Sequence, residues 1–524
     1  MHEELELKLR CTAGFEPAVA LAWLRQHGEL VARGERRHLD LYLDTPDGRL
    51  QAAGLSARRR GGPSGVAEVQ VKPVPLAPGL VMRRAEVVAE LDRGRDAGSV
   101  LRHTLEVELG LRVPDTLRSV VELDARRDRW ILNADDYQAE LSFDRVRGRR
   151  PGETRHHDFV ELELELVQGS AASFEAMATA MAAALTSRGR AKVATTSKLL
   201  HARKKLGYPA FFAEIPLPTL HGRMRVGTAA RDLGRALMMR LRQYEPGTRV
   251  GLDPEQLHQM RTAVGRLRAL LQLFRGAFER ATRKALREEL RWVAEVLAQL
   301  DTIQSHREAL PRWRRWLDTP AVDTADGWDA LDQALAAAHA RARKALREVL
   351  DSSRYRRLSA LADASFAASE EGSTAAGRVR LEDALPDLLR RPLRRLSKAT
   401  GLSSTAAGGQ WVPAVHAEVR ALGHVLELLT PLATKRKSMR RHIDTLAAMQ
   451  RELGAIDGDR FATAVSEILQ PSEADDAGRW FVLGLVQGAS TVQAKQAAAT
   501  LARADWRGRA KKLREGVPRV LLGR

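Results

Sequence analysis

The stretch EELELKLR, residues 3 to 10, alternates strictly. Glu4, Glu6 and Lys8 fall on one side and Leu5, Leu7 and Leu9 on the other, which predicts an amphipathic strand. The leucine side asks for a core. The charged side has two destinations: bulk water, or an enclosed space where two carboxylates and an ammonium meet other charges. Which of these holds decides the fold of the first part of the chain.

Up to about residue 205 the same texture recurs. HLDLYLDTPDG, LSARRRGG, AEVQVKPV, RRAEVVAEL, SVVELDARRDRWIL, QAELSFDRV and FVELELELVQG follow in turn, most of them separated by Gly, Pro or Asp-Gly punctuation. Helical stretches interrupt around residues 15–28 and 172–187. This makes about eight strands, mostly antiparallel by their short connections. Collected by parity, the polar side carries the acids Glu4, Glu6, Glu68, Glu86, Asp124, Asp144, Glu161 and Glu163. It also carries the bases Lys8, Arg58, Arg60, Lys72, Arg84 and Arg126. A water-facing sheet would scatter Ser, Thr and Gln among these, and they are scarce. For one strand, a solvated face with cross-strand ion pairs is the commoner arrangement. For the whole set, a closed and charged interior is the better reading.

The two richest strands, EELELKLR and FVELELELVQG, lie at opposite ends of this region. If they are neighbours, Glu4, Glu6, Glu161 and Glu163 converge. Carboxylates at that density repel unless protonated or bridged by cations. Hard divalent ions such as Mg²⁺ or Mn²⁺ prefer such oxygen ligands. The Lys and Arg of the same face suit an anion with several charged oxygens. Together these groups describe a site for phosphoryl transfer.

ELELK, Glu4 to Lys8, resembles the ExExK signature of the CYTH family, the triphosphate tunnel metalloenzymes. The similarity continues in order through YLDTPDGRL (42–50), LSARRR (55–60), VQVKP (69–73) and RRAE (83–86). LDARRDRW (123–130), LSFDRV (141–146), ELELELVQG (161–169) and TSK (196–198) complete it. The resemblance implies an eight-stranded antiparallel tunnel that hydrolyses or cyclises triphosphates with Mg²⁺ or Mn²⁺. It implies metal ligands Glu4, Glu6, Glu161 and Glu163, with Asp144 assisting and Lys8 among the catalytic groups. Lys8, Arg58, Arg60, Lys72, Arg126 and Lys198 would hold phosphates, and parity adds Arg84. Arg126 is preferred to Arg127 by parity alone. Glu165 shares the side of Glu161 and Glu163, so which two of the three are ligands stays open.

A chain of 524 residues calls for more than one domain. Apolar content of 44% and charged content of 29% are those of a globular protein, and no apolar run reaches bilayer-spanning length. The acidic start lacks a secretory h-region, and the single Cys11 suits a reducing cytoplasm, the expected location. A net charge of +19 favours polyanionic partners. Nine tryptophans appear without an aromatic-basic stacking motif, which disfavours nucleic acid.

Residues 206–226, LGYPAFFAEIPLPTLHGRMRV, read as a linker or docking segment. From 227 to 524 the texture is helical, divided by Ser/Gly/Ala-rich loops around 365–378 and 400–410 into two similar halves. The fold class is therefore α+β: an antiparallel β domain over 1–205, then an all-α helical bundle. In LHQMRTAVGRLRALLQLF (257–274), His258, Arg261 and Arg268 fall within about 80° on a helix, with Arg266 to the other side. An isolated stripe of this kind is most often a solvated face.

The stretch is similar to the opening motif of the CHAD domain, two four-helix halves that bind inorganic polyphosphate. Looser similarity runs through ALREVLDSSRYRRLSALAD (345–363), AMQRELGAID (448–457) and RWFVLGLVQG (479–488). The resemblance implies polyphosphate contacts from His258, Arg261, Arg266, Arg268 and Arg420. Gly265 stands where the family has a basic residue, and Leu300–Asp301 replaces an Arg-Asp pair. Pro413, His416, Gly423 and His424 also depart from it. The expected activity is hydrolysis of inorganic triphosphate, with polyphosphate held or located by the helices and association with polyphosphate granules. Thiamine triphosphatase or adenylyl cyclase activity in the same tunnel, and a non-catalytic polyphosphate-binding role, are the alternatives.

Overall fold

The computed structural model describes all residues except 1, 62–66, 77–78, 92–95, 188, 318–323, 368–373, 402–410, 455–476, 503 and 523–524. Eight strands build the first part: β1 (His2–Cys11), β2 (Glu29–Asp44), β3 (Leu55–Gly61), β4 (Glu68–Pro73), β5 (Val81–Glu90), β6 (Arg118–Asn133), β7 (Tyr137–Arg149) and β8 (His156–Gly169). Their order is β5-β4-β3-β2-β6-β7-β8-β1, and β1 pairs back onto β5, so the sheet closes with every pairing antiparallel. A short β9 (Ala191–Val193) extends it beside β1.

Beneath its helices the barrel is apolar outside, and around its cavity it is charged inside. Leu5, Leu7 and Leu9 join Leu141, Phe143, Leu162 and Leu164 beneath α1 (Ala18–Leu24) and α4 (Ala171–Thr186). Leu55, Ala57, Val69, Val71 and Val87 pack with Leu101, Leu105 and Leu109 of α3 (Ala97–Leu109), beside the single turn α2 (Arg49–Ala52). Helix α3 lies outside the two helical stretches expected from periodicity, yet its ends carry ordinary signals. The Asp96 carboxylate accepts from the Ser99 N–H at 2.8 Å, and Gly110 closes the helix at φ 64°.

Helix α5 (Lys198–Lys205) has a different role. Its Leu199 and Ala202 pack with Tyr42, Val121, Leu123, Ala125 and Val146. The β6–β7 register puts Leu123, Ala125 and Val146 on the same face as Arg127 and Asp144, the inner face. Helix α5 therefore plugs one end of the barrel. This corrects two parity assignments. Asp124 and Arg126 face outward, where Asp124 pairs with Arg37 at 2.7 Å and Arg126 with Glu35. At the plugged end the inward positions of β6 are apolar because they meet a helix.

Compact units comprise Met1–Glu214 with Gln243–Leu257, and Ile215–Arg242 with His258–Arg524. The expected linker thus starts within the barrel unit. Its Tyr208 lies 4.4 Å from the guanidinium of Arg150 and 4.7 Å from that of Arg203, and its hydroxyl donates to the Val120 carbonyl.

From residue 226 onward the described chain is helical, the end of α6 and the first turn of α7 belonging to the first unit and the rest to the second: α6 (Val226–Val250), α7 (Pro254–Leu273), α8 (Arg280–Leu317), α9 (Ala325–Asp351), α10 (Ser353–Ala367), α11 (Leu381–Gly401), α12 (Val412–Leu429), α13 (Arg436–Gly454), α14 (Ala477–Ala502) and α15 (Trp506–Leu522). Helices α11, α12, α13 and α15 pack together, whereas α14 crosses to α8 and α9. Val482, Leu483 and Val486 draw it there by completing an apolar cluster with Trp313, Trp328 and Leu331. Of the loops expected around 365–378 and 400–410, residues 368–373 and 402–410 lie outside the described residues, as do residues 455–457.

Candidate active site

Alternation on β1, β3, β4, β5, β6 and β8, with Lys198 of α5, delivers charged side chains to one cavity of about 220 Å³. Seven cationic groups line it: Lys8, Arg58, Arg60, Lys72, Arg84, Arg127 and Lys198. Five carboxylates face them: Glu4, Glu6, Glu86, Glu163 and Glu165. The surplus is positive, as an anion site requires. Of the residues read from sequence, Arg126 is absent for the reason given, and Arg127 takes its place. Asp144 and Glu161 are 0% exposed and do not reach the cavity surface.

The β1–β8 register explains the depth of Glu161. Glu6 stands opposite Glu165, Lys8 opposite Glu163 and Arg10 opposite Glu161. Glu161 therefore lies towards the plugged end, 2.5 Å from Arg10 and 3.4 Å from Lys198. Arg10 was not among the sequence candidates, although it is the next inward position after Lys8.

Buried charges here are answered by several partners each. Lys8 Nζ is 3.0 Å from Glu6 and 2.8 Å from Glu163. Lys72 reaches Glu4 and lies 3.0 Å from Glu86; Arg84 reaches Glu6. Arg127 donates twice to Asp144 and once to Glu163, each at 2.7 Å. Lys198, at the first turn of α5, lies 2.9 Å from Asp144 and 2.6 Å from Glu163. Burial alone would raise the Asp144 carboxyl, but Arg127 and Lys198 outweigh it and hold the group at about 2.

Asp40, another group absent from the sequence candidates, orients the far wall. Its carboxylate accepts from Arg60 at 2.8 and 2.9 Å and from Arg58 at 3.0 Å. Those bonds fix both guanidinium planes before any ligand arrives. The sequence signal was available, since Asp40 shares the parity of Tyr42 on β2.

Cation binding can be judged from the acceptors. Glu4 Oε2 and Glu163 Oε1, which face the cavity, are buried and accept no well-directed hydrogen bond, although ammonium or guanidinium groups stand near them. Hard oxygen acceptors in that state suit a divalent ion. Among the described residues no three acids or histidines are already drawn together around a cation position.

Glu165 offers a test. Burial, then the Glu4 and Glu6 carboxylates, push it up from 4.5 to about 7. The folded chain then binds more protons at Glu165 than the unfolded chain between those values, so stability falls as pH rises through that window. In chelator, the Glu165 contribution to the melting temperature is expected to decline from about pH 4.5 to about 7, against the rise from histidines such as His201 and His339, which burial holds below 6.5. A Glu165→Gln variant should lack that part of the decline; superimposable profiles would contradict the assignment.

In the second unit a cavity of about 540 Å³ is lined from α7, α8, α12 and α13. His258, Arg261, Arg266, Arg268 and Arg420 all line it, as do His416 and His424. Two of the arginines are partly neutralised: Arg261 pairs with Asp301, and Arg266 with Glu427 at 2.9 Å. Burial favours the neutral Glu427, but His424 and Arg266 prevail and hold it at about 2. A Cβ at Gly265 would fall 2.9 Å from His424 Nε2, so the space of a side chain at 265 is taken by His424.

Family models match over both regions: a CYTH domain at residues 2–192 and a CHAD domain at 233–466. The chain is a CYTH–CHAD two-domain protein. Solved structures include the CHAD domain from the plant Ricinus communis, 20% identical over 58% of this chain and 96% of that one, with a TM-score of 0.43. PptA from Streptomyces chartreusis is 18% identical over 53% of this chain and 99% of its own, with a TM-score of 0.39. A Hippeastrum protein described as an adenylyl cyclase candidate with dominant triphosphatase activity is 18% identical, covering 39% of this chain and 96% of its own, at a TM-score of 0.29. No curated protein matches. CYTH proteins are triphosphatases and cyclases that generally depend on divalent metal, so the CYTH barrel belongs to an enzyme family of triphosphate chemistry. Among the described residues no helix is long and apolar enough to cross a membrane.

Proposed function

We propose that the CYTH barrel hydrolyses inorganic triphosphate to pyrophosphate and phosphate, and that the CHAD cavity holds inorganic polyphosphate. One observation carries the substrate choice. Among the described residues the 220 Å³ cavity is lined by charged groups, with Tyr42 its only aromatic side chain. A nucleobase or a thiamine ring would need an apolar or stacking surface that these residues do not offer.

In this reading Glu4, Glu6 and Glu163, with Glu165, hold Mg²⁺ or Mn²⁺. The bound ion would supply polarisation of phosphate oxygens and activation of water. Arg58 and Arg60, fixed by Asp40, clamp the chain of phosphates from one wall. Lys72, Arg84 and Lys198 exchange carboxylate partners for phosphate oxygens, and Lys8 neutralises charge on the leaving pyrophosphate. Arg127, with Lys198, keeps Asp144 ionised behind the cavity wall. We place the protein in the cytoplasm, on polyphosphate granules where they occur, a reading supported by the single Cys11 and the basic CHAD cavity.

The test offers the purified protein tripolyphosphate, thiamine triphosphate and ATP with Mg²⁺ or Mn²⁺ while released phosphate is followed. Tripolyphosphate is expected to have the highest kcat/KM by at least about tenfold, a difference of about 1.4 kcal/mol in transition-state binding. Preference for thiamine triphosphate, or cyclic AMP formed from ATP, would overturn the substrate choice. No turnover of any of them with either metal would leave a binding protein.

A further inference from the structure

The turn between α6 and α7 belongs to the barrel unit, which includes Gln243–Leu257. Val250 is buried there and, with Leu252, joins the core cluster of Leu50, Leu55, Val69 and Val71. One oxygen of the Asp253 carboxylate accepts from the Leu76 N–H at 3.1 Å. The other accepts from the Glu255 N–H at 3.0 Å and so opens α7. Next along the helix, Gln256 is 1% exposed and lies against Gly54, where a Cβ would fall 2.8 Å from Gln256 Nε2. Neither polar atom of the Gln256 side chain has a hydrogen-bond partner. What this residue contributes is therefore the space it fills, not a polar contact.

These contacts fall at the roots of two particular strands. Gly54 immediately precedes β3, which brings Arg58 and Arg60 to the 220 Å³ cavity. The Gly54 carbonyl accepts from the Val74 N–H at 2.7 Å, just past the end of β4, which brings Lys72. Leu76, held by Asp253, follows in the same segment. In the other direction α7 runs on without a break, and its His258 and Arg261 line the 540 Å³ cavity. About two turns of one helix thus carry both the anchor of the phosphate wall and the first side chains of the second cavity.

We propose that Asp253 and Gln256 are positioning residues for the triphosphate site, through which an anion in the CHAD cavity tightens the Arg58–Arg60–Lys72 wall on its substrate. The proposal rests on the cavity reading above and adds regulation to it. Polyphosphate held by His258 and Arg261 fixes the first turns of α7, and with them Gly54 and Leu76. A wall ordered in advance loses less freedom when tripolyphosphate arrives, so the coupling is positive. Arg58 and Arg60 hold substrate in the ground state as well as the transition state, so the effect falls on KM and spares kcat.

The test follows tripolyphosphate hydrolysis by the full chain, with and without saturating long-chain inorganic polyphosphate, whose binding is measured alongside. In wild type KM is expected to fall about five- to tenfold, the low end of the usual range for coupled sites, with kcat unchanged. Hydrogen exchange in the peptide spanning Val74 to Leu76 should slow on polyphosphate binding. Arg261→Ala should weaken binding and lose the KM response. Gln256→Ala should bind polyphosphate as wild type does and lose the response, whereas Gln256→Met, which refills the space against Gly54, should keep it. Melting curves check that all variants fold. Competition by polyphosphate inside the barrel would instead raise KM in wild type and Arg261→Ala alike, and would overturn the coupling. So would a KM and an exchange rate that ignore bound polyphosphate; either result leaves the cavity reading intact. A full response in Gln256→Ala would overturn the role of α7. No polyphosphate binding by wild type would overturn both the coupling and the cavity reading.

Discussion

Glu6→Gln should lower tripolyphosphate turnover by at least about a thousandfold while leaving the protein folded, a change of about 4 kcal/mol in the barrier. Glu6 is 3% exposed, faces Glu165 across the β1–β8 ladder, and is contacted by Lys8 and Arg84. The amide keeps the shape and removes the charge. Lys8 retains Glu163 at 2.8 Å, and Arg84 retains Glu4 at 3.7 Å, so neither cation is stranded. In the proposed reading, what is lost is one anionic ligand for a divalent ion and the field that would hold it. If that ion acts in the transition state, the loss falls mainly on kcat. Steady-state phosphate release and a melting curve check both parts. A rate within about twofold of wild type, in a folded variant, would mean that the chemistry is not in this cavity.

The second large effect is on stability, and it separates two adjacent arginines. Arg127→Leu should destabilise the barrel by about 3–5 kcal/mol, because it leaves Asp144 and Glu163 buried with one cation fewer. Asp144 is 0% exposed, and Arg127 supplies two of its hydrogen bonds at 2.7 Å. Arg126→Leu removes a pair with Glu35 on the outer surface, where such pairs contribute about 0–1 kcal/mol. Urea unfolding followed by circular dichroism gives both values. Equal effects of the two substitutions would contradict the inward assignment of Arg127. If Arg127→Leu does not accumulate, Asp144→Asn with Arg127 intact tests the same pair.

Most of the barrel site was legible because a strand has period two. Once EELELKLR is a strand, Glu4, Glu6 and Lys8 share a face whatever follows. The same holds for Arg58 with Arg60 and for Glu161, Glu163 and Glu165. On β6 the rule misled, since Asp124 and Arg126 look like a continuation of the charged interior. Val121, Leu123 and Ala125 look like a core face, and they are one: their core is helix α5 inside the barrel end. Helix α3 was missed although it has 13 residues: its buried Leu101, Leu105 and Leu109 recur at every fourth position, so both its periodicity and its caps were legible.

In the CHAD domain helical spacing placed His258, Arg261 and Arg268 together, and the cavity holds all three. The same spacing could not show that Asp301 and Glu427 would partly neutralise Arg261 and Arg266. Those partners come from α8 and α12, and nothing local links their positions in the chain to α7.

The sequence alone determined the strands, their two faces, the ordered CYTH and CHAD motifs and the excess of positive charge. These are local properties, set by backbone period and residue type. The tertiary structure decided which face turns inward on β6, that Glu165 reaches the cavity while Glu161 lies behind it, and that α14 crosses to α8 and α9. Each of those depends on register or packing between segments far apart in the chain. A one-residue change in parity reverses every side chain of a strand, so only the closed barrel selects between the alternatives.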